Sequence, residues 1–202
     1  MLERLPVATE HISIVILAAG GSERFGRPKQ LEPLRGRPLV QHAINAAAAS
    51  GAGEVVVVLG ASADDVEAAI TLPAGARVVI NPLYKKGQST SLQAGLRALD
   101  DTTAGAVLLL GDQPGIAPET IRRVVDAWRD RKPAIVQARY HGLPGHPVLF
   151  AREVWPQLLA VTGDRGARDV LTADARRIAW VDVESDPPPD IDTPRDLMRL
   201  DG

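Results

Sequence analysis

Cysteine is missing from this chain of 202 residues. Disulfides, thiolate metal sites and a Cys nucleophile are thereby excluded, and the redox compartment is left open. A surplus of either charge is missing too. The formal net charge is −2, so electrostatics give no reason to expect nucleic acid as a partner. No apolar run nears the roughly 20 residues that span a bilayer, and no membrane role is expected. Residues 1 to 10 include Glu3, Arg4, Pro6 and Glu10 and do not read as a signal peptide. A cytoplasmic protein is therefore expected. Internal repeats are absent, and Pro187-Pro188-Pro189 is the one low-complexity tract. What remains is ordinary globular composition, 45% hydrophobic and 24% charged. The length suits one domain, 1–202, with one sizeable core.

The most informative stretch runs from Ile12 to Lys29. Ile12 to Leu17 is a short, nearly uninterrupted apolar run rich in β-branched residues, which reads as a strand buried on both faces. Ala18, Ala19, Gly20, Gly21 and Ser22 follow. Small residues let a ligand approach the main chain and leave backbone N–H groups free to face it. Arg24, Arg27 and Lys29 come next. A buried strand, a small-residue turn and three cations together suit a polyphosphate. The Walker pattern fails, because Arg27-Pro28 stands where Lys and Ser or Thr are required. The G-x-G-x-x-G pattern fails as well, with glycines at 20, 21 and 26.

Further along, strands and helices alternate. A helix is expected from Pro38 to about Ser50, with Gly51 as its stop. Strands are expected at Glu54–Leu59, Arg77–Ile80, Gly105–Leu110, Ala134–Ala138 and Arg177–Val183. Ser62 to Asp65 reads as a capping box, with Asp in place of Glu or Gln, before a short helix to Ile70. Pro118 to about Arg131 reads as a helix with Ile121, Val124, Val125 and Trp128 on its buried face. Gly142, Gly145 and His146-Pro147 read as an irregular turn entering a strand. Asp169 to Thr172 reads as a further helix. The alternation predicts a Rossmann-like three-layer α/β/α fold with a mostly parallel sheet.

Several residues stand out chemically. Gln88, Ser89, Thr90 and Ser91 open a helix with more hydroxyls and amides than one cap requires. Asp112, in Gly111-Asp112-Gln113-Pro114, follows a strand, where open parallel sheets place their ligands. A carboxylate beside a polyphosphate makes electrostatic sense with a divalent cation between them, and magnesium takes carboxylate and phosphate oxygens. His146 reads as a structural group, a proton carrier or a substrate contact. Arg165 and Arg168, in Gly163-Asp-Arg-Gly-Ala-Arg168, are candidates for a phosphate on a second substrate. Thr193, Pro194 and Asp196 make a competent helix start. That start leaves Asp192 unexplained.

Together these stretches resemble the nucleotidyltransferases that build molybdenum-cofactor dinucleotides. More distantly they are similar to sugar-nucleotide pyrophosphorylases and methylerythritol-phosphate cytidylyltransferases. The likeness rests on L-A-A-G-x-S-x-R-F-G-x-x-K, N-P-x-x-x-x-G-x-S-x-S-L-x-x-G, G-D-x-P, G-x-x-G-H-P, G-D-x-G-A-R and D-x-D-T-P-x-D-L, in order along nearly the whole chain. Phe25 stands where the family more often has methionine.

The resemblance implies a nucleotidyltransferase fold with a nucleotide half at about 11–115 and an acceptor half at about 116–202. It implies that Leu17, Ala18, Ala19, Gly20, Gly21, Ser22 and Lys29 hold the nucleotide's phosphates. Gln88, Ser89 and Ser91 would lie on its base and ribose side, and His146, Arg165 and Arg168 on the acceptor side. Asp112 and Asp192 would ligate Mg2+, and Arg24, Lys29 and Asp112 would be catalytic. Ala18-Ala19-Gly20 resembles the cytidylyltransferase branch. The implied reaction moves CMP from CTP to molybdopterin-bound molybdenum, with pyrophosphate released and a molybdenum hydroxylase as partner. The alternatives are GTP or a sugar-phosphate acceptor in the same fold, a cofactor-binding chaperone without chemistry, and a plain nucleotide-binding regulator, which would leave Asp192 and the acceptor loop idle.

Overall fold

The computed structural model describes residues 10–201. The reading of the first ten residues lies, Glu10 aside, outside them. In chain order the first elements are β1 (His11–Ala18), β2 (Pro33–Leu34), β3 (Arg37–Pro38), α1 (Leu39–Ser50), β4 (Val55–Leu59) and α2 (Ala63–Ala69). Then come β5 (Ala76–Ile80), α3 (Gln88–Ala98), β6 (Thr103–Leu110), α4 (Pro118–Arg131), β7 (Ile135–Tyr140) and β8 (Leu143–Ala151). The chain continues through α5 (Trp155–Ala160), α6 (Arg168–Ala173), β9 (Ile178–Val183) and α7 (Pro194–Asp201).

Seven strands form one sheet in the order β5-β4-β1-β6-β8-β7-β9. All neighbours pair in parallel except β8, which runs antiparallel to both β6 and β7. The apolar runs become central strands because each alternate residue has a core to enter. On β1, Ile12, Ile14, Ile16 and Ala18 join a cluster with α1 and α4, whereas Val15 and Leu17 join one with α3 and α5. On β4, Val55, Val57 and Leu59 face the first cluster and Val56 and Val58 the second. This is the three-layer, mostly parallel architecture that the sequence predicts.

Two local expectations fail. Ser62 stands at the start of α2 but adopts φ 51° and makes no side-chain cap, so the capping box is not formed. His146-Pro147 lies inside β8 rather than in a turn, and the turn falls at His141-Gly142. The pairing of β7 with β8 shifts register between Gln137 and Ala138.

The chain lays β4 and β5 on one side of β1, then returns to place β6 on the other. The strand order therefore reverses between β1 and β6, and the loops that follow these two strands flank the point of reversal at their carboxyl ends. That is the switch point where open α/β sheets bind ligands.

Candidate active site

A cleft of about 840 Å3 opens at this switch point. Its floor comes from β1 and the turn after it: Leu17, Ala18, Ala19, Gly20, Gly21, Ser22 and Arg24 all line it. A Cβ built on Gly20 would meet nothing within 4 Å, so the space above the turn is open. The carbonyls of this segment are turned into the protein. Leu17 O accepts from Gly111 N at 2.9 Å and Ala19 O from Ala61 N at 3.3 Å. Ala18 O and Gly20 O accept from the Gln30 side chain at 3.0 and 2.8 Å. No acceptor among the described residues takes the main-chain N–H of Gly20, Gly21, Ser22, Glu23 or Arg24. A run of free amides on a tight turn is an anion-binding concavity.

Beside the turn, two acids meet. The Lys29 ammonium donates to Asp112 Oδ2 at 2.7 Å and to Asp192 Oδ1 at 3.0 Å. Arg24 donates to Asp192 Oδ2 at 2.9 Å. Burial lowers the pKa of Lys29, whose side chain is only 14% exposed, but the two carboxylates outweigh it and the net shift is upward. Burial raises Asp192, yet Lys29 and Arg24 outweigh that and hold it below the usual carboxylate range.

Asp192 arrives by a tether that the sequence does not advertise. Ile191 is fully buried with Leu34 and Leu39, against Phe25, and its N–H donates to Asp112 O at 3.0 Å. Gln113 donates to Asp190 Oδ1 at 2.8 Å. Beyond the tether, Asp196 Oδ2 accepts from Thr193 N at 2.8 Å and from Thr193 Oγ1 at 2.7 Å, the expected start of α7.

Two carboxylates under a run of amides suit a magnesium-type ion, which takes one or two carboxylates plus phosphate oxygens. Among the described residues no group of three or more His, Cys, Asp or Glu side chains could hold a metal. Asp112 and Asp192 would therefore need phosphate oxygens to complete the shell.

The opposite wall comes from the start of α3. Gln88 and Ser91 line the cleft with Tyr84 and Lys85, whereas Ser89 is 2% exposed and does not. Asn81 braces this wall by donating to Thr90 Oγ1 and Ser91 Oγ, each at 2.9 Å. Gly87, at φ 111°, lies so close to the 163–166 loop that a Cβ would sit 2.4 Å from the Gly163 carbonyl carbon. That contact sets Asp164 in the cleft lining. Arg165 pairs instead with Asp169 at 2.6 Å, and Arg168 is exposed, so neither lines the cleft.

His146 is outside the lining too. Protein atoms crowd its half-buried ring, and burial pushes its pKa down to about 4, with Asp112 pulling weakly upward. The imidazole is thus neutral at pH 7. An unfolded chain takes its proton near 6.5 and the folded one only near 4, so His146 destabilises the fold as pH falls through that window. The expected cost at pH 4 is on the order of 2–3 kcal/mol. Denaturant titrations of wild type and His146→Gln at several pH values check this. The variant should lose less stability on acidification.

Comparison with known proteins bears on what this cleft does. The profile of the MobA-like NTP transferase domain matches residues 14–178. The chain belongs to the MobA-like NTP transferase family. It therefore carries a nucleotidyltransferase domain. Nicotine blue oxidoreductase of Paenarthrobacter nicotinovorans is 35% identical over 196 residues, covering 92% of this chain and 94% of that protein. The crystal structure of Rv0371c from Mycobacterium tuberculosis superposes with a TM-score of 0.85 at 34% identity, covering 96% and 98% of the two chains. Rv0371c has also been solved in complex with manganese. Bifunctional protein GlmU of Sorangium cellulosum is 32% identical over 180 residues, which make up 84% of this chain but 37% of that one. No helix among the described residues is long and apolar enough to cross a membrane.

Within this MobA-like cleft, the sequence reading missed Gln30, Tyr84, Lys85 and Asp164. Tyr84 and Lys85 sit in the variable part of the Asn-Pro motif, and only its Lys85-Lys86 pair carries a signal. Asp164 was overshadowed by the two arginines that follow it.

Proposed function

We propose that this MobA-like protein transfers CMP from CTP to molybdopterin-bound molybdenum, releasing pyrophosphate for a product used by a molybdenum hydroxylase. The observation that carries this reading is the meeting of Asp112 and Asp192 on one cation, Lys29, beside a turn of free amides. The amides of Gly20 to Arg24 take the triphosphate. Gln88 and Ser91 take the base and ribose side. The choice of CTP rests on the resemblance of Ala18-Ala19-Gly20 to the cytidylyltransferase branch. Ser89, next to Gln88 in the first turn of α3, belongs with that side, while His146, Arg165 and Arg168 belong with the acceptor.

An acceptor phosphate oxygen forms the new bond to the α-phosphorus as the bond to the β-phosphate bridge breaks, and pyrophosphate leaves with the electron pair. Such a reaction needs positioning and charge neutralisation more than a nucleophile from the protein. Asp112 and Asp192 would hold Mg2+, which supplies neutralising charge at the phosphates. Arg24 and Lys29 would stabilise the leaving pyrophosphate. Residues 1–202 act as one domain, with a nucleotide half at about 11–115 and an acceptor half at about 116–202, in the cytoplasm.

The test is a pyrophosphate-release assay with CTP, GTP and ATP, each with and without molybdenum cofactor. The expected result is release with CTP, magnesium and cofactor together. Release that ignores the cofactor overturns the acceptor, leaving a sugar phosphate to be tried. A preference for GTP overturns the nucleotide. Tight pterin binding with no pyrophosphate from any nucleotide makes the protein a chaperone.

A further inference from the structure

We propose that Gln30 is the positioning residue of the phosphate turn. Its side-chain amide holds the turn's carbonyls inward so that the turn's N–H groups meet the triphosphate. This rests on the nucleotidyl-transfer reading above.

Gln30 follows Lys29 in a single 3-10 turn (Lys29–Leu31) and is 3% exposed. Its Nε2 donates to Ala18 O at 3.0 Å and to Gly20 O at 2.8 Å. Two carbonyls face one side-chain atom, and a carbonyl can only accept, so that atom must be the nitrogen. The other end accepts from Ser22 Oγ at 3.2 Å. Ser22 Oγ in turn accepts from the main-chain N–H of Lys29 at 3.0 Å.

One buried amide thus ties three points of the turn to the residue that bridges the two acids. A peptide unit fixes its C=O and N–H in opposite directions. Holding the carbonyls of residues 18 and 20 inward therefore turns the amides of residues 19 and 21 the other way. Without those bonds, a flexible glycine turn can rotate its carbonyls into the cleft, where they repel phosphate oxygens. The role needs a side chain that donates twice and accepts once, is uncharged and reaches across the turn. Glutamine satisfies all of these.

The test compares wild type with Gln30→Leu and Gln30→Glu. Leu removes every bond, while Glu keeps the volume and the acceptor for Ser22 but not the donors. Inorganic tripolyphosphate is titrated calorimetrically, and KM is measured for CTP and for the acceptor separately. The expected result for both variants is tripolyphosphate binding weakened about 10-fold or more, with KM for CTP raised by a similar factor. KM for the acceptor stays within about 2-fold of wild type. Equal loss toward both substrates, or no loss in a folded variant, overturns the proposal.

Amide NMR of the wild type needs no variant. The Gly20 to Arg24 resonances should move when tripolyphosphate is added, and unmoved resonances overturn the proposal even if neither variant folds. A wild type that binds neither tripolyphosphate nor any nucleoside triphosphate defeats the nucleotidyl-transfer reading itself. Normal binding by both wild type and variants defeats Gln30 alone.

Discussion

Asp112→Asn lowers turnover on the order of 100-fold or more while the protein still folds. Removing one preorganised charge from a phosphoryl-transfer site typically costs that much. Asn preserves the size of the side chain, and its oxygen can still accept from Lys29. Asp112 sits after β6, where Gly111 N and Ile191 N fix the main chain on either side of it through Leu17 O and Asp112 O. Neither bond uses the carboxylate, so circular dichroism and the thermal midpoint should change little. The activity loss, read as pyrophosphate release, should appear in kcat more than in KM for the nucleotide, because the lost charge acts at the reacting phosphates. Near-normal turnover in this variant would remove Asp112 from both the metal site and the catalytic set.

Lys29→Met is expected to do comparable damage by another route. In the wild type the ammonium lies between two carboxylates and offsets their repulsion. Taking it away leaves Asp112 and Asp192 facing each other in a partly enclosed site. The expected loss of stability is about 2–3 kcal/mol, below the roughly 3–5 kcal/mol for breaking a fully buried pair. Turnover falls on the order of 100-fold, since the leaving pyrophosphate loses a neutralising partner. A divalent cation should then do part of the lysine's work. Added Mn2+ should raise the thermal midpoint of Lys29→Met more than that of wild type, because in wild type the ion must compete with the ammonium. Equal shifts in the two proteins would show that the ion binds elsewhere.

The fold was legible because its signals were redundant. Four consecutive valines, from Val55 to Val58, can hardly be anything but a buried strand. Pro118 and the spacing of Ile121, Val124, Val125 and Trp128 mark the start and the inner face of α4. Ser62 misled because the capping-box pattern records which residue types are present and not the backbone angle, which at φ 51° takes the hydroxyl out of reach.

Of the candidate site, the place of the small-residue turn and of Asp112 in the cleft lining was readable from local context: small residues after a strand, and an acid at a strand's carboxyl end. Asp192 was readable only as a leftover once the α7 cap was explained. The partners that hold these groups were not readable. Gln30, Gln113 and Ile191 look like an ordinary loop amide, a turn residue and a lone aliphatic. Their roles depend on what lies across the chain from them. The 163–168 loop shows the same limit from the other direction. Its arginines drew attention as charges, whereas Gly166 mattered for its approach to Gln88, where a Cβ would sit 2.5 Å from the side-chain oxygen.

The short hook between Ile191 and Asp112 also sets a clock on the protein's birth. A ribosome adds on the order of 5–20 residues per second, so a nascent chain carries Asp112 for several seconds before Asp192 exists. During that interval β7, β8 and β9 are still being made, and Lys29 has only one of its two acids in the chain. The pair of carboxylates is complete only once the Ile191 N–H has reached Asp112 O, so the site closes by a long-range contact and not by the folding of its own loop.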